Sequence, residues 1–496
     1  MRWKVDHRKL FWILLVLTAG IIVINGMTTD VSLGDESHHY HFAQNIYEAG
    51  KRVAFSSLYE SGNSPGFYYN TPPFWHLILA FLWKITGGIS QAVAQAYHIL
   101  FFVLLVWVVS LLTREVSGEE GRWLSALIMT TVPMVVSFST LFYMDIPMTA
   151  MTTLSLYFIW KRRYMEAGVA SGLAYFTKLN SVFFFPGFFL LIVWKERRRF
   201  WPLLKGLVFF IIPILIIYLY DSNWRKSNIT SQLNTIGWSN ISIRLSMAGT
   251  GMRWREYLNS YLTNPLDIVK YFGFAFLFLL FFHFFRFRRW DLKGRILWVP
   301  VISYLILFII LFGIVTDIRY LIPIVPFLIA LLTPSLVSLG KKWKIVIVIL
   351  CLIQFMSTSI YVYQQRQISP EIKEGFEYIK KNVPVDANIL YPEENLLIYA
   401  ERRVVWGAVL FSRYEKKLGL DLLFWGKSTN EMNGILQYAR VSHILIKKSR
   451  IYDDTNVHHS GGYPRSFVER LPHLEGWMKI SENQEVSLWR RELQPK

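Results

Sequence analysis

Four short constellations set acids, cations and aromatics at the edges of otherwise apolar stretches. The first is Asp35-Glu36, preceded by Gly34 and followed by His38, His39 and His41. A carboxylate fixed at a helix start can act as a general base, taking a proton from a hydroxyl as its oxygen attacks carbon. The same residue also serves as a helix cap, and the pattern predicts a helix from Asp35 to about Ala49 with Gly50 as its stop. The histidines are metal-ligand types, but at this spacing on a helix they do not all share a face.

The second constellation is Tyr69-Asn70-Thr71-Pro72-Pro73-Phe74-Trp75. Its double proline stiffens a backbone surrounded by rings, which suits an interfacial turn or the wall of a sugar or lipid pocket. The third, Tyr143-Met144-Asp145-Ile146-Pro147, puts an acid and a proline at the start of an apolar run. Asp145 reads as an N-cap, and equally as a second carboxylate that orients substrate hydroxyls or the base. The fourth is Asp317-Ile318-Arg319-Tyr320-Leu321-Ile322-Pro323, continued by Pro326. Arg319 can snorkel at a span end, or it can neutralise a phosphate leaving group. Lys178, within Thr177-Lys178-Leu179-Asn180, is a second candidate cation for that task.

The elements that must position these residues are mostly membrane spans. Apolar residues make up 53% of the chain, in runs near bilayer length at about 10–26, 93–112, 123–142, 146–160, 166–179, 181–194, 203–220, 268–286, 296–314, 320–339 and 344–362. An α-helical polytopic membrane protein of about eleven transmembrane helices is expected. The net charge of +19 raises nucleic-acid binding, but the basic residues cluster in short stretches between apolar runs, as the positive-inside rule produces. No nucleic-acid partner is therefore expected. Cys351 is the only cysteine, which excludes an intrachain disulfide.

The basic N-terminus and the run Leu10 to Gly26 read as a retained signal anchor with the N-terminus cytoplasmic. The loops Lys161-Arg162-Arg163, Lys195 to Arg199, Arg286 to Arg295 and Lys341 to Lys344 then all face the cytoplasm. Pro72 to Gly88 is left out of the span count as a juxtamembrane or re-entrant element on the outer face, since counting it would invert every later loop. The domains expected are 1–363, a transmembrane catalytic domain with external loops 27–92 and 221–267, and 364–496, a soluble extracytoplasmic α/β domain. Within the latter, Glu371 to Asn382 reads as an amphipathic helix burying Ile372, Phe376 and Ile379, followed by strand-like runs at 388–391 and 443–446. Every acidic motif falls on the non-cytoplasmic side.

The order of these motifs resembles the GT-C membrane glycosyltransferases. It is closest to the dolichyl-phosphate-mannose protein mannosyltransferase-like group that includes the lipid A aminoarabinose transferases. The likeness covers nearly the whole chain, and it implies inverting transfer of a sugar from a polyprenyl-phosphate donor to an acceptor hydroxyl on the outer side. The acceptor would be a glycolipid, a polysaccharide or a protein. By that resemblance Asp35 matches the catalytic acid of the first external loop, with Glu36 its neighbour, and Asp145 matches the second acidic position. Arg319 matches the late arginine, and Lys178, Tyr320, His38, Tyr69, Pro72 and Pro73 are expected to contact substrate. Members often carry a lysine before the double proline where this chain has Thr71, so the phosphate contact passes to Lys178 or Arg319. No nucleotide-binding glycine loop is evident, which agrees with a lipid donor. No cofactor is expected, and a divalent metal is not indicated.

A transporter or flippase of lipid-linked sugars would also need many spans and polar groups near a headgroup. Transporters tend to hold ionisable residues at mid-membrane and to show repeats. Here the acids sit at span ends and no repeat is found, which favours the enzyme. The location expected is the plasma (inner) membrane.

Overall fold

Helices dominate because the runs are rich in Leu, Ile, Phe and Val and a chain in lipid must satisfy its own backbone polar groups. The computed structural model describes residues 7–31, 35–49, 72–196, 200–220, 272–273, 276–277, 280–281, 296–312, 318–391, 395–405, 428–438, 440–452 and 463–492. The chain divides into two compact units, one of residues 1–29 and 69–364, the other of residues 30–68 and 365–496.

In the first unit the described helices are α1 (His7–Thr28), α3 (Phe74–Thr86), α4 (Gln91–Met129), α5 (Pro133–Thr140), α6 (Asp145–Trp160), α7 (Tyr164–Thr177), α8 (Phe185–Glu196), α9 (Phe200–Tyr220), α10 (Trp298–Phe312), α11 (Val325–Val337) and α12 (Lys341–Gln365). The helix α2 (Asp35–Ala49) belongs to the second unit. Among the described residues five helices are long and apolar enough to cross a membrane, and a bent pair, α5 with α6, makes a sixth. The chain is therefore an integral membrane protein.

The breaks explain why hydropathy and helices do not coincide one to one. Helix α4 is interrupted at Gly118, whose φ of 75° lies in the left-handed region open to glycine. The expected span 123–142 is two helical pieces separated near Thr130 and Thr131, and α5 meets α6 at 119°. Such breaks are tolerated where side chains satisfy the freed carbonyls. Gln354 Nε2 donates to Thr131 O at 2.6 Å, and Gln95 Nε2 donates to Ser139 O at 3.1 Å. Pro72 to Gly88 holds the 13-residue α3, stopped by Gly87 at φ 87°. At 1.5 Å per residue it is about 20 Å long, short of a bilayer's hydrocarbon core. The expected span 268–286 and the loop 221–267 lie largely or wholly outside the described residues.

Helices α6 and α7 form an antiparallel hairpin turning at Arg162, and α7 packs along α9. Small residues permit that approach: a Cβ on Gly168 would meet Gly206 O at 2.2 Å, and one on Gly172 would meet Phe210 O at 2.8 Å. Ser155 and Ser171 hydroxyls bond at 2.6 Å across the hairpin.

The second unit is α/β. Its sheet has the order β2-β1-β3-β7-β6, with β1 (Asn388–Leu390) parallel to β2 (Arg403–Val405) and β3 (His443–Lys447). Strands β7 (Val486–Arg491) and β6 (Trp477–Glu482) continue it antiparallel. A separate short pair, β4 (Ile451–Tyr452) and β5 (Tyr463–Pro464), runs parallel. Helix α13 (Pro370–Asn382) starts at the capping hydroxyl of Ser369 and buries Ile372, Phe376 and Ile379, the face its periodicity predicts.

Candidate functional site

The hairpin geometry decides where Asp145 goes. Helices α6 and α7 contain 16 and 14 residues, so after the turn the chain returns about as far as it went and brings the end of α7 back beside the start of α6. Lys178, extended just past the end of α7, thereby reaches Asp145, and its Nζ lies 2.7 Å from Oδ1. Asp145 is completely buried and the Lys178 side chain is 20% exposed. Each charge also sits at the helix end that favours it, the carboxylate at an N-terminus and the ammonium at a C-terminus. Asp145 is not the N-cap its sequence position predicts. Met144 occupies that place, Asp145 is the first helical residue, and its carboxylate is drawn to Lys178 instead of to the backbone.

The late arginine motif joins this pair through rings. Lys178 Nζ lies 5.0 Å from the centroid of Tyr320, and the Arg319 guanidinium lies 5.2 Å from that ring and 5.3 Å from the ring of Tyr143. These distances suit cation–π attraction, which strengthens away from water. Arg319 and Tyr320 stand on a 3-10 segment, Ile318–Ile324, that contains Pro323 and leads into α11, where Pro326 occupies the first turn. Tyr304 from α10 fixes this segment by donating its hydroxyl to Tyr320 O at 2.8 Å.

The double proline leads into α3, whose first turn touches the residue before Tyr143. Pro72 and Pro73 are buried, and Pro73 caps α3. Trp75 on its first turn is fully buried against Tyr97, His98 and Phe142, the last adjoining Tyr143. The broken helix on which this depends is tied by a polar stripe on α4 that sequence reasoning missed. Gln91 Nε2 donates to Gly26 O at 2.6 Å and Thr29 O at 2.8 Å, while Gln95 bonds Ser139 O and His98 Nε2 lies 3.2 Å from Phe138 O. These carbonyls lie at or just past the C-terminal ends of α1 and α5, where no intrahelical partner reaches. Polar residues at positions i, i+4 and i+7 of an apolar helix were the available signal.

The structure thus joins Asp145, Lys178, Arg319 and Tyr320 in one network within the first unit, while Pro72 and Pro73 lead into α3, whose Trp75 touches Phe142. Asp35, Glu36 and His38 lie on α2 of the second unit, where Asp35 opens the helix as its spacing predicts. The side chains of Asp35 and His38, and the whole of Tyr69, lie outside the described residues. Glu36 is fully buried, and its Oε1 accepts from Arg366 Nη2 at 2.5 Å. Arg366, also fully buried, is the other residue that sequence reasoning missed; it follows the last apolar run. Nearby, Val31 N donates to the Tyr399 hydroxyl at 2.8 Å, and burial, aided by the charge of Asp30, raises that phenol's pKa well above its ordinary value. Among the described residues no group of three His, Cys, Asp or Glu side chains is arranged to hold a metal ion.

The fold has known counterparts. Residues 70–220 match the family model described as dolichyl-phosphate-mannose-protein mannosyltransferase. ArnT from Cupriavidus metallidurans in the apo state superposes with a TM-score of 0.59 at 11% identity, covering 96% of this chain and 97% of that one. The Archaeoglobus fulgidus oligosaccharyltransferase gives 0.56 at 13% identity over 88% of this chain and 68% of its own. The mycobacterial arabinofuranosyltransferase AftD gives 0.51 at 11%, covering 97% of this chain and 40% of its own. No curated protein matches the sequence. The fold is that of the GT-C membrane glycosyltransferases.

Proposed function

We propose that the protein is a glycosyltransferase that moves a sugar from a polyprenyl-phosphate carrier to an acceptor hydroxyl, with inversion, on the extracytoplasmic face. The single observation that carries this reading is the buried Asp145–Lys178 pair, joined through Tyr320 and Tyr143 to Arg319. Two cations bracketed by rings at the edge of an apolar bundle suit a phosphate whose lipid tail stays in the bilayer. Related folds support the donor class: ArnT has been seen with undecaprenyl phosphate, and the archaeal oligosaccharyltransferase AglB with dolichol-phosphate and a peptide.

In the proposed reaction the acceptor oxygen bonds to the anomeric carbon as the bond from that carbon to the phosphate oxygen breaks. The acceptor proton passes to Asp35, and polyprenyl phosphate leaves. Lys178 and Arg319 stabilise charge gathering on the departing phosphate. Asp145 holds Lys178 in place, Glu36 stands beside the base, and Tyr320, Tyr69, His38, Pro72 and Pro73 contact substrate. No step is assigned to a metal. The full span set of about eleven helices, the division near residue 363 into a membrane domain and a soluble tail, and the N-in orientation in a plasma (inner) membrane belong to the same proposal.

The test is release of polyprenyl phosphate, followed by mass spectrometry, when the purified protein meets a panel of polyprenyl-phosphate sugars and host membrane acceptors. Release from one donor that falls at least tenfold in Arg319→Ala supports the reading. Donor binding without release, from every sugar tried, refutes it.

A further inference from the structure

Asp35 and Glu36 are consecutive residues at the start of α2, and the fold treats Glu36 in a way that sets its first turn. Glu36 is fully buried and bonded by the fully buried guanidinium of Arg366, 330 positions away in the chain. The segment leading into α2 is tied at the same place: Asp30 N donates to Arg366 O at 3.1 Å, and Asp30 Oδ2 accepts from Ile368 N at 2.8 Å. Lys373, on α13, adds an ion pair to Asp30 Oδ2 at 3.0 Å. Ser37 Oγ bonds back to Val31 O at 3.3 Å, and Val31 N is held by the Tyr399 hydroxyl. Tyr399 stacks on Phe376 of α13, with ring planes 2° apart. All of these groups lie within the second unit.

Burying an ion pair gains little stability over a well-packed apolar pair, so its use here points to direction rather than strength. A charge-assisted bond to a guanidinium fixes position and angle in a way that apolar contact does not. Consecutive helix positions lie about 100° apart, so anchoring Glu36 fixes the bearing of position 35. Displacing a reacting group by about 1 Å is enough to cost on the order of a hundredfold in rate.

We infer that Arg366 is a positioning residue: through Glu36 it locks the first turn of α2 and so aims Asp35. This rests on the proposed reaction for its catalytic meaning, while the anchoring itself is tested without it. Full-length protein in nanodiscs is compared with Arg366→Met, Arg366→Lys and the charge-neutral pair Glu36→Gln with Arg366→Met, the last guarding against a variant that fails to fold. Hydrogen exchange is read over residues 35–49 and, as reference, over β3 and β7.

The expected result is at least tenfold faster exchange in residues 35–49 of both Met variants, with β3 and β7 unchanged. Turnover per bound donor should fall at least tenfold with donor affinity unchanged, and Arg366→Lys should recover most of both. Exchange that rises equally in helix and sheet, or a loosened helix that still turns over at the wild-type rate, overturns the inference. So does wild-type exchange in the charge-neutral variant. If wild type releases no polyprenyl phosphate, the reaction fails as a reading and the exchange data alone judge the anchor.

Discussion

Lys178 and Asp145, 33 positions apart, meet at 2.7 Å because two consecutive helices of nearly equal length fold back on each other. The acid is wholly enclosed and the lysine is its bonded cation. Lys178→Met would strand a buried carboxylate, and a stability loss of about 3 kcal/mol is expected. Adding Asp145→Asn to it should recover most of that loss, since the two effects share one interaction. Thermal melts in detergent, with both singles and the double, measure the coupling.

Gly168 lies where α7 crosses α9, and a Cβ there would meet the carbonyl oxygen of Gly206 at 2.2 Å. Backbone cannot yield as a side-chain tip can, so Gly168→Ala should lower the melting temperature by an amount equivalent to about 2 kcal/mol or more. A Cβ on Gly20, in α1, would meet nothing within 4 Å, and Gly20→Ala should be neutral or slightly stabilising. Equal effects from the two changes would show that the close crossing is absent.

His443 on β3 is buried beside Arg490, and burial together with that positive charge pushes its pKa down to about 4. The folded state therefore keeps it neutral while the unfolded chain protonates it near 6.5. Stability should fall as pH drops below about 6.5 and level off below about 4, by up to about 3 kcal/mol. Comparing pH melts of wild type and His443→Gln isolates this contribution, and parallel curves would contradict it.

What the sequence reveals depends on whether the cause is local. The buried face of α13 and the helix starting at Asp35 follow from spacing within a dozen residues, and both are found. The motifs around Pro72, Asp145 and Arg319 are visible as motifs. Their meeting through Phe142, Tyr143 and Tyr320 is not, because it depends on how a broken helix turns. Hydropathy reads 123–142 as one span, since it cannot see that Gln354 and Gln95 satisfy carbonyls at the breaks. The Glu36–Arg366 bond joins chain segments 330 positions apart, and nothing in either segment names the other. For the same reason spacing alone does not show that α2 packs in the second unit with the residues after 364.

The most direct test of the proposed reaction compares wild type with Asp35→Asn on the donor that wild type accepts, reading both released polyprenyl phosphate and the anomeric configuration of the product. An inverted product from wild type, with release lowered at least a hundredfold in a variant that still binds donor, is the predicted result. A retained configuration, or undiminished release from Asp35→Asn, would contradict it.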